Sequence, residues 1–165
     1  MTIRSLFTLF ISILTISLSS HLYSNGVSVV NAATGIYLKL TSSDVLVNCE
    51  SQVSVVTATQ IFLNNLGADK NIKYAFPMPE GASAISLRWK INGLWYQAQI
   101  NPNSQDTGLP GGSMNNNLKA HLGSTPLFFT IPQTVKTDSS LIVELKYVKL
   151  LPYSFGNVTF TFPNN

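Results

Sequence analysis

From residue 36 onward, apolar and polar residues alternate with a period of two, the pattern of strands with one face buried and the other in water. Ile85, Leu87, Trp89 and Ile91 alternate with Ala84, Ser86, Arg88 and Lys90, while Leu141, Val143, Leu145 and Tyr147 alternate around Glu144 and Lys146. Val158, Phe160 and Phe162 do the same against Thr159 and Thr161. Less regular β-branched stretches at 36–41, 53–63, 72–76, 94–100 and 127–131 predict further strands, and Val45 to Cys49 also reads as strand. No window makes a convincing amphipathic helix. The nearest is 114–122, weakened by three consecutive asparagines.

Asn92-Gly93 joins two of these runs and predicts a hairpin, because a type I′ turn needs positive φ at both central residues. The two-residue turn sets Ile91 opposite Leu94, Trp89 opposite Tyr96, Leu87 opposite Ala98 and Ile85 opposite Ile100, with all eight on one face. Arg88, Lys90 and Trp95 then share the opposite face. Prolines at 77, 79, 126, 132 and 152 mark expected strand ends. The pattern predicts an all-β fold, an antiparallel β-sandwich of about eight strands, with a partly open barrel as the other arrangement. Residues 101–125 lack apolar periodicity and are long for a connection, which points to a functional or disordered loop.

The start of the chain reads differently. Arg4 precedes an apolar run over 6–18, shorter than the roughly 18 residues that span a bilayer. It reads as a secretory signal peptide over 1–26, with cleavage somewhere in 19–33, followed by one domain over 34–165. An uncleaved anchor is the alternative, and this segment is the only expected membrane contact. Export places the domain outside the cytoplasm, secreted or at the cell surface.

Composition narrows the functional classes. The chain has 165 residues, 45% hydrophobic and 10% charged, enough for one core. Ten basic against seven acidic residues give +3, and the basic ones are scattered, so no phosphate-tracking stripe for nucleic acid forms. The lone Cys49 excludes an internal disulfide and a cysteine-based zinc site; in an oxidising compartment it is either buried and inert or available for an intermolecular bridge, and its strand-like surroundings favour burial. Beyond the signal segment the sole histidine is His121, expected in an exposed loop, and no serine carries a nucleophile signature. The spacing of Asp44, Glu50, Asp69, Glu80, Asp106, Asp138 and Glu144 suggests no catalytic pair. Gly108 to Gly112 lacks the lysine of a phosphate loop. The expectation is a non-enzyme with no cofactor and no metal. Trp95 is the residue that asks for an account, because the hairpin register points it outward. It forms either a cation-π contact with Lys90 or, with Lys90 and Arg88, a contact for a partner or a sugar ring. Asn157-Val158-Thr159 matches a glycosylation acceptor.

Several segments occur in a specific order: Thr59-Gln60-Ile61-Phe62-Leu63-Asn64, Tyr74-Ala75-Phe76-Pro77-Met78-Pro79-Glu80, Ile91-Asn92-Gly93, a strand with Tyr147, and Phe160-Thr161-Phe162-Pro163. In this order they resemble the VIT domain, the vault protein inter-alpha-trypsin module, over about 36–163. Phe76, Pro77, Pro79, Glu80, Asn92, Gly93 and Tyr147 carry the resemblance as structural motif residues, with Glu80 expected to fix a turn. The stretch from Gln99 to Ser124 departs from the family, which often places a charged, helix-prone segment there. The resemblance implies an all-β, non-catalytic interaction or scaffolding module. Such modules usually lie upstream of a von Willebrand type A domain in a larger secreted or cell-surface protein, and here that domain would begin near Asn165. The implied partner is protein. The rival reading is a stand-alone carbohydrate-binding domain that stacks a glycan on Trp95 and Tyr96.

Overall fold

The computed structural model describes residues 25–99 and 108–160. The signal reading lies outside them apart from Asn25 and Gly26, as do Ile100, Phe162 and Pro163. Two antiparallel sheets pack face to face as a sandwich. One holds β1 (Val27–Asn31), β2 (Ile36–Tyr37), β5 (Lys70–Pro77) and β8 (Pro126–Val135) in the order β2-β1-β5-β8. The other holds β3 (Lys39–Glu50), β4 (Val53–Leu63), β6 (Ala82–Ile91), β7 (Leu94–Gln97) and β9 (Ser140–Leu150) in the order β3-β4-β9-β6-β7. A separate exposed hairpin pairs β10 (Tyr153–Ser154) with β11 (Asn157–Val158). The glycosylation-like Asn157 therefore lies on the surface.

Alternation builds the core. Val56, Ala58 and Phe62 of β4, Leu141, Val143, Leu145 and Tyr147 of β9, and Leu87, Trp89 and Ile91 of β6 face Ile72, Tyr74 and Phe76 of β5 and Ile131 and Val135 of β8. Trp89 stacks on Tyr96 with centroids 5.8 Å apart, meets Phe129 at 5.2 Å and donates from Nε1 to Gln133 Oε1 at 2.7 Å. Burying each such side chain contributes about 1.5–3 kcal/mol.

The Asn92-Gly93 turn takes positive φ at both residues, 50° and 82°, and the register places Trp89 opposite Tyr96 and Ile91 opposite Leu94 as expected. Two residues of that expected buried face depart from it. Leu94 is exposed because β7 is a short edge strand and Leu94 sits at the turn. Ile85 is 50% exposed because the β6–β9 register shifts between Ala84 and Ser86, leaving it as an extra residue. On one side of this bulge Ala84 pairs with the buried Tyr147, and on the other Leu87 pairs with the buried Leu145, so the inward parity changes across Ile85. Ile85→Ser is expected to change stability by less than about 0.5 kcal/mol. Leu87→Ser, two residues away and buried, should cost about 3 kcal/mol by chemical denaturation.

Other expectations are corrected. β8 runs through Pro132 instead of ending there: it is an edge strand, where a missing N–H costs no ladder bond, and its register with β5 shifts in that region. Cys49 is exposed, since β3 is the opposite sheet's edge and Cys49 lies at its end. Val158 is exposed on β11 rather than lying in a long closing strand, while Phe160 packs against the core. Residues 27–31, ahead of position 34, form β1, whose Val29 is fully buried, as is Ala32 just after it.

The long connection also contributes structure. Residues 116–122 form the helix α1 (Asn116–Leu122), where no convincing helix was expected. Asn115 is its N-cap, accepting from the Leu118 N–H at 2.9 Å, so one of the three asparagines that lower helix propensity starts the helix. Leu118 and Leu122 pack with Val29, Ala32 and Ala75 on the outer side of the β2-β1-β5-β8 sheet. Backbone bonds from Ala32 N to Pro110 O and from Asn115 N to Ala32 O tie the leading loop down.

Candidate interaction surface

With α1 over one sheet, the broad face that no described element covers belongs to the other, and the sequence-selected cluster lies on it. Arg88 and Lys90 project outward from β6, Trp95 and Gln97 from β7, and Glu144 from β9, because residues opposite one another share a face. Arg88 donates a fork to Glu144, Nε to Oε1 at 2.7 Å and Nη2 to Oε2 at 2.8 Å. The same guanidinium carbon lies 4.6 Å from the Trp95 ring centroid, nearer than Lys90 Nζ at 5.9 Å. The cation expected beside Trp95 was Lys90, and the closer one is Arg88. An exposed ion pair contributes at most about 1 kcal/mol, so its main effect is to hold the guanidinium, and through it an indole left 46% exposed, in one orientation. This flat, fixed aromatic flanked by donors is suited to stacking and hydrogen bonding with a polar, partly apolar surface.

The motif residues do structural work. Phe76 is buried against Tyr147, centroids 5.9 Å apart, and Pro77 pairs with Pro126 at the sheet end. Pro79 O accepts from Ala82 N at 3.0 Å across a turn holding the exposed Glu80 and Gly81, whose φ is 72°. Met78, Pro79 and Ala84 line an open apolar cleft of ≈ 250 Å³ with Thr125 and Leu127.

Sequence reasoning missed two buried polar residues of the motif strand. Gln60 and Asn64 sit at inward positions that alternation would fill with apolar side chains. Gln60 Oε1 accepts from the Tyr74 hydroxyl at 2.8 Å and from Gly26 N at 3.1 Å, while Nε2 faces Asn25 Oδ1 and Ser43 Oγ at 3.3 and 3.4 Å. Asn64 Nδ2 donates to the carbonyls of Ala68 and Val135, both at 2.9 Å. The signal available was the polar residue itself at an inward register position.

Burial raises Tyr74 well above the usual tyrosine range, with the neighbouring Tyr147 adding to it, and pushes Tyr147 up to about 12. His121 is half-buried on α1, not in an exposed loop, and its Nε2 lies 2.8 Å from the Asn25 carbonyl. Burial lowers its pKa, partly opposed by that backbone contact. The folded state thus binds a proton less readily than the unfolded chain, so stability is full above about pH 6.5 and falls as pH drops below it. His121→Gln is expected to flatten this acid limb, read from urea midpoints between pH 7 and 5.

Among the described residues, no three His, Cys, Asp or Glu side chains gather to hold a metal ion, and no helix is long and apolar enough to cross a membrane. No curated protein matches the chain. The ordered strand, the proline-rich turn and the Asn92-Gly93 hairpin all fall within the stretch that a family model recognises: residues 40–107 match the vault protein inter-alpha-trypsin (VIT) domain.

Proposed function

We propose that the chain is an exported, non-catalytic VIT-like interaction module, the amino-terminal part of a longer secreted or cell-surface protein with a downstream von Willebrand type A domain. The observation that carries this reading is the oriented Arg88-Trp95 stack on the outer face of the β3-β4-β9-β6-β7 sheet, with Trp95 exposed. The family match over 40–107 and the signal-like start support it. In this reading Trp95 is the anchor, with Arg88 and Lys90 supplying donors at its rim, and the partner surface is protein.

The coding region beyond residue 165 is read for a von Willebrand type A domain, and that domain is then titrated against this chain. Trp95→Ala is expected to weaken binding at least tenfold while changing stability by less than about 1 kcal/mol. Absence of such a domain, or full-strength binding by the variant, counts against the reading. The carbohydrate alternative rests on the same exposed indole. Because Trp89 is buried, a saturable fluorescence change on adding a glycan would report Trp95, and its survival in Trp95→Ala would dismiss the sugar site.

A further inference from the structure

The two sheets have four outer edges, and the sequence treats one of them differently. β7 is only four residues long and β2 only two, while β8 carries Pro126 and Pro132. Short strands and prolines are common ways of keeping an edge from pairing with another chain. β3 has neither protection. It runs for twelve residues at the edge of its sheet, its register shift is confined to the Leu40–Ser42 end, and 42–50 contains no proline and no lysine. At its centre Val45-Leu46-Val47 is uncharged, and Leu46 is 61% exposed on the outward side.

We propose that β3 is a homodimerisation edge, pairing antiparallel with β3 of a second copy about a two-fold axis through Leu46. The register follows from chemistry. Residues paired across an antiparallel ladder point to the same side, so a symmetric pairing must centre on a residue. Centring on Val47 would oppose Asp44 to Glu50 of the second copy, two like charges. Centring on Val45 would set the Asp44 carboxylate against the exposed Leu46. Centring on Leu46 opposes Leu46 to Leu46, Asp44 to Asn48 and Glu50 to Ser42, giving each carboxylate a neutral donor, and on the inner side Val45 meets Val47. This self-matching selects a second copy as occupant, since one strand supplies both halves of every pair. Among the described residues no strand pairs with the outer edge of β3, and the dimer satisfies that row of backbone N–H and C=O groups at the same time. Cys49 then lies opposite Ser43, about 20 Å along the strand from the other Cys49, so no disulfide joins the two copies. The proposal is independent of the Trp95 face.

Sedimentation velocity of the full chain across the micromolar range is expected to show a monomer–dimer equilibrium. Leu46→Lys should raise the dimer dissociation constant at least tenfold with an unchanged circular dichroism spectrum. In a Cys49→Ser background, Leu46→Cys should cross-link under mild oxidation, whereas Asn48→Cys, held about 13 Å from its counterpart, should not. The unmodified chain provides a check that needs no variant: backbone amides of 42–50 should exchange more slowly as concentration rises. A monomer at every concentration, a dimer indifferent to Leu46→Lys, or cross-linking through Asn48 as fast as through Leu46 would overturn the proposal.

Discussion

A chain shortened to begin at residue 34 is expected to lose cooperative unfolding altogether. The deletion removes β1, which lies between β2 and β5, and so leaves β2 with no neighbour in its sheet. It strips Val29 and Ala32 from beneath Leu118 and Leu122, exposing the contact that anchors α1. It also takes away Asn25 and Gly26, partners of the buried Gln60. Burial of a Val or Leu side chain contributes about 1.5–3 kcal/mol, so losing that of Val29, Leu118 and Leu122 removes up to about 9 kcal/mol from a total stability of about 5–15 kcal/mol, before the lost β1 pairing is counted. Thermal melts followed by near-ultraviolet circular dichroism check this against a chain beginning at residue 25. A sharp transition in the shorter chain would show β1 to be dispensable. The same geometry bears on processing: cleavage after Ala32 would remove β1, whereas cleavage before Asn25 would keep both it and the contacts to Gln60.

The second large effect is expected at Gln60. Gln60→Leu keeps roughly the volume but leaves the Tyr74 hydroxyl and the Gly26 N–H without the oxygen they now share. Leaving buried polar groups unsatisfied costs about 1–3 kcal/mol each, so a loss of about 3 kcal/mol is expected in urea unfolding. Adding Tyr74→Phe removes one orphaned group, and the double variant should recover about 1 kcal/mol relative to Gln60→Leu alone. Strict additivity of the two single losses would mean that the pair is not coupled. Gly26 joins this network through its N–H, and no side chain fits there: an added Cβ would overlap the Tyr74 hydroxyl and ring. Tyr74→Phe should also narrow the alkaline loss of stability. A raised tyrosine pKa contributes stability below about pH 10 that is lost as pH climbs toward the folded value.

β4, β6 and β9 were readable because one face of each is buried, which imposes a period of two. The β6–β7 register near the turn was readable because Asn92-Gly93 fixes it. Departures have physical causes. A bulge formed without glycine leaves no mark in composition, so Ile85 looked like one more inward residue. β1 follows directly on a signal-like segment and is too short for its alternation to stand out. α1 was hidden by the asparagines that include its cap, and the course of β8 through Pro132 depends on its being an edge, which only the three-dimensional pairing reveals. Of the candidate surface, the exposure of Trp95 was legible from register parity alone. The Arg88-Glu144 fork was not, because it joins strands 56 residues apart.

α1 and its leading loop roof one sheet with side chains drawn from the connection that departs most from the family pattern. Among the described residues the module is therefore lopsided: α1 and its leading loop lie over one broad side, and no described element lies over the other. Changes in the roof can proceed without altering what the bare side displays. A neighbour that docks on the bare side meets side chains placed by strand register alone, not by the variable connection.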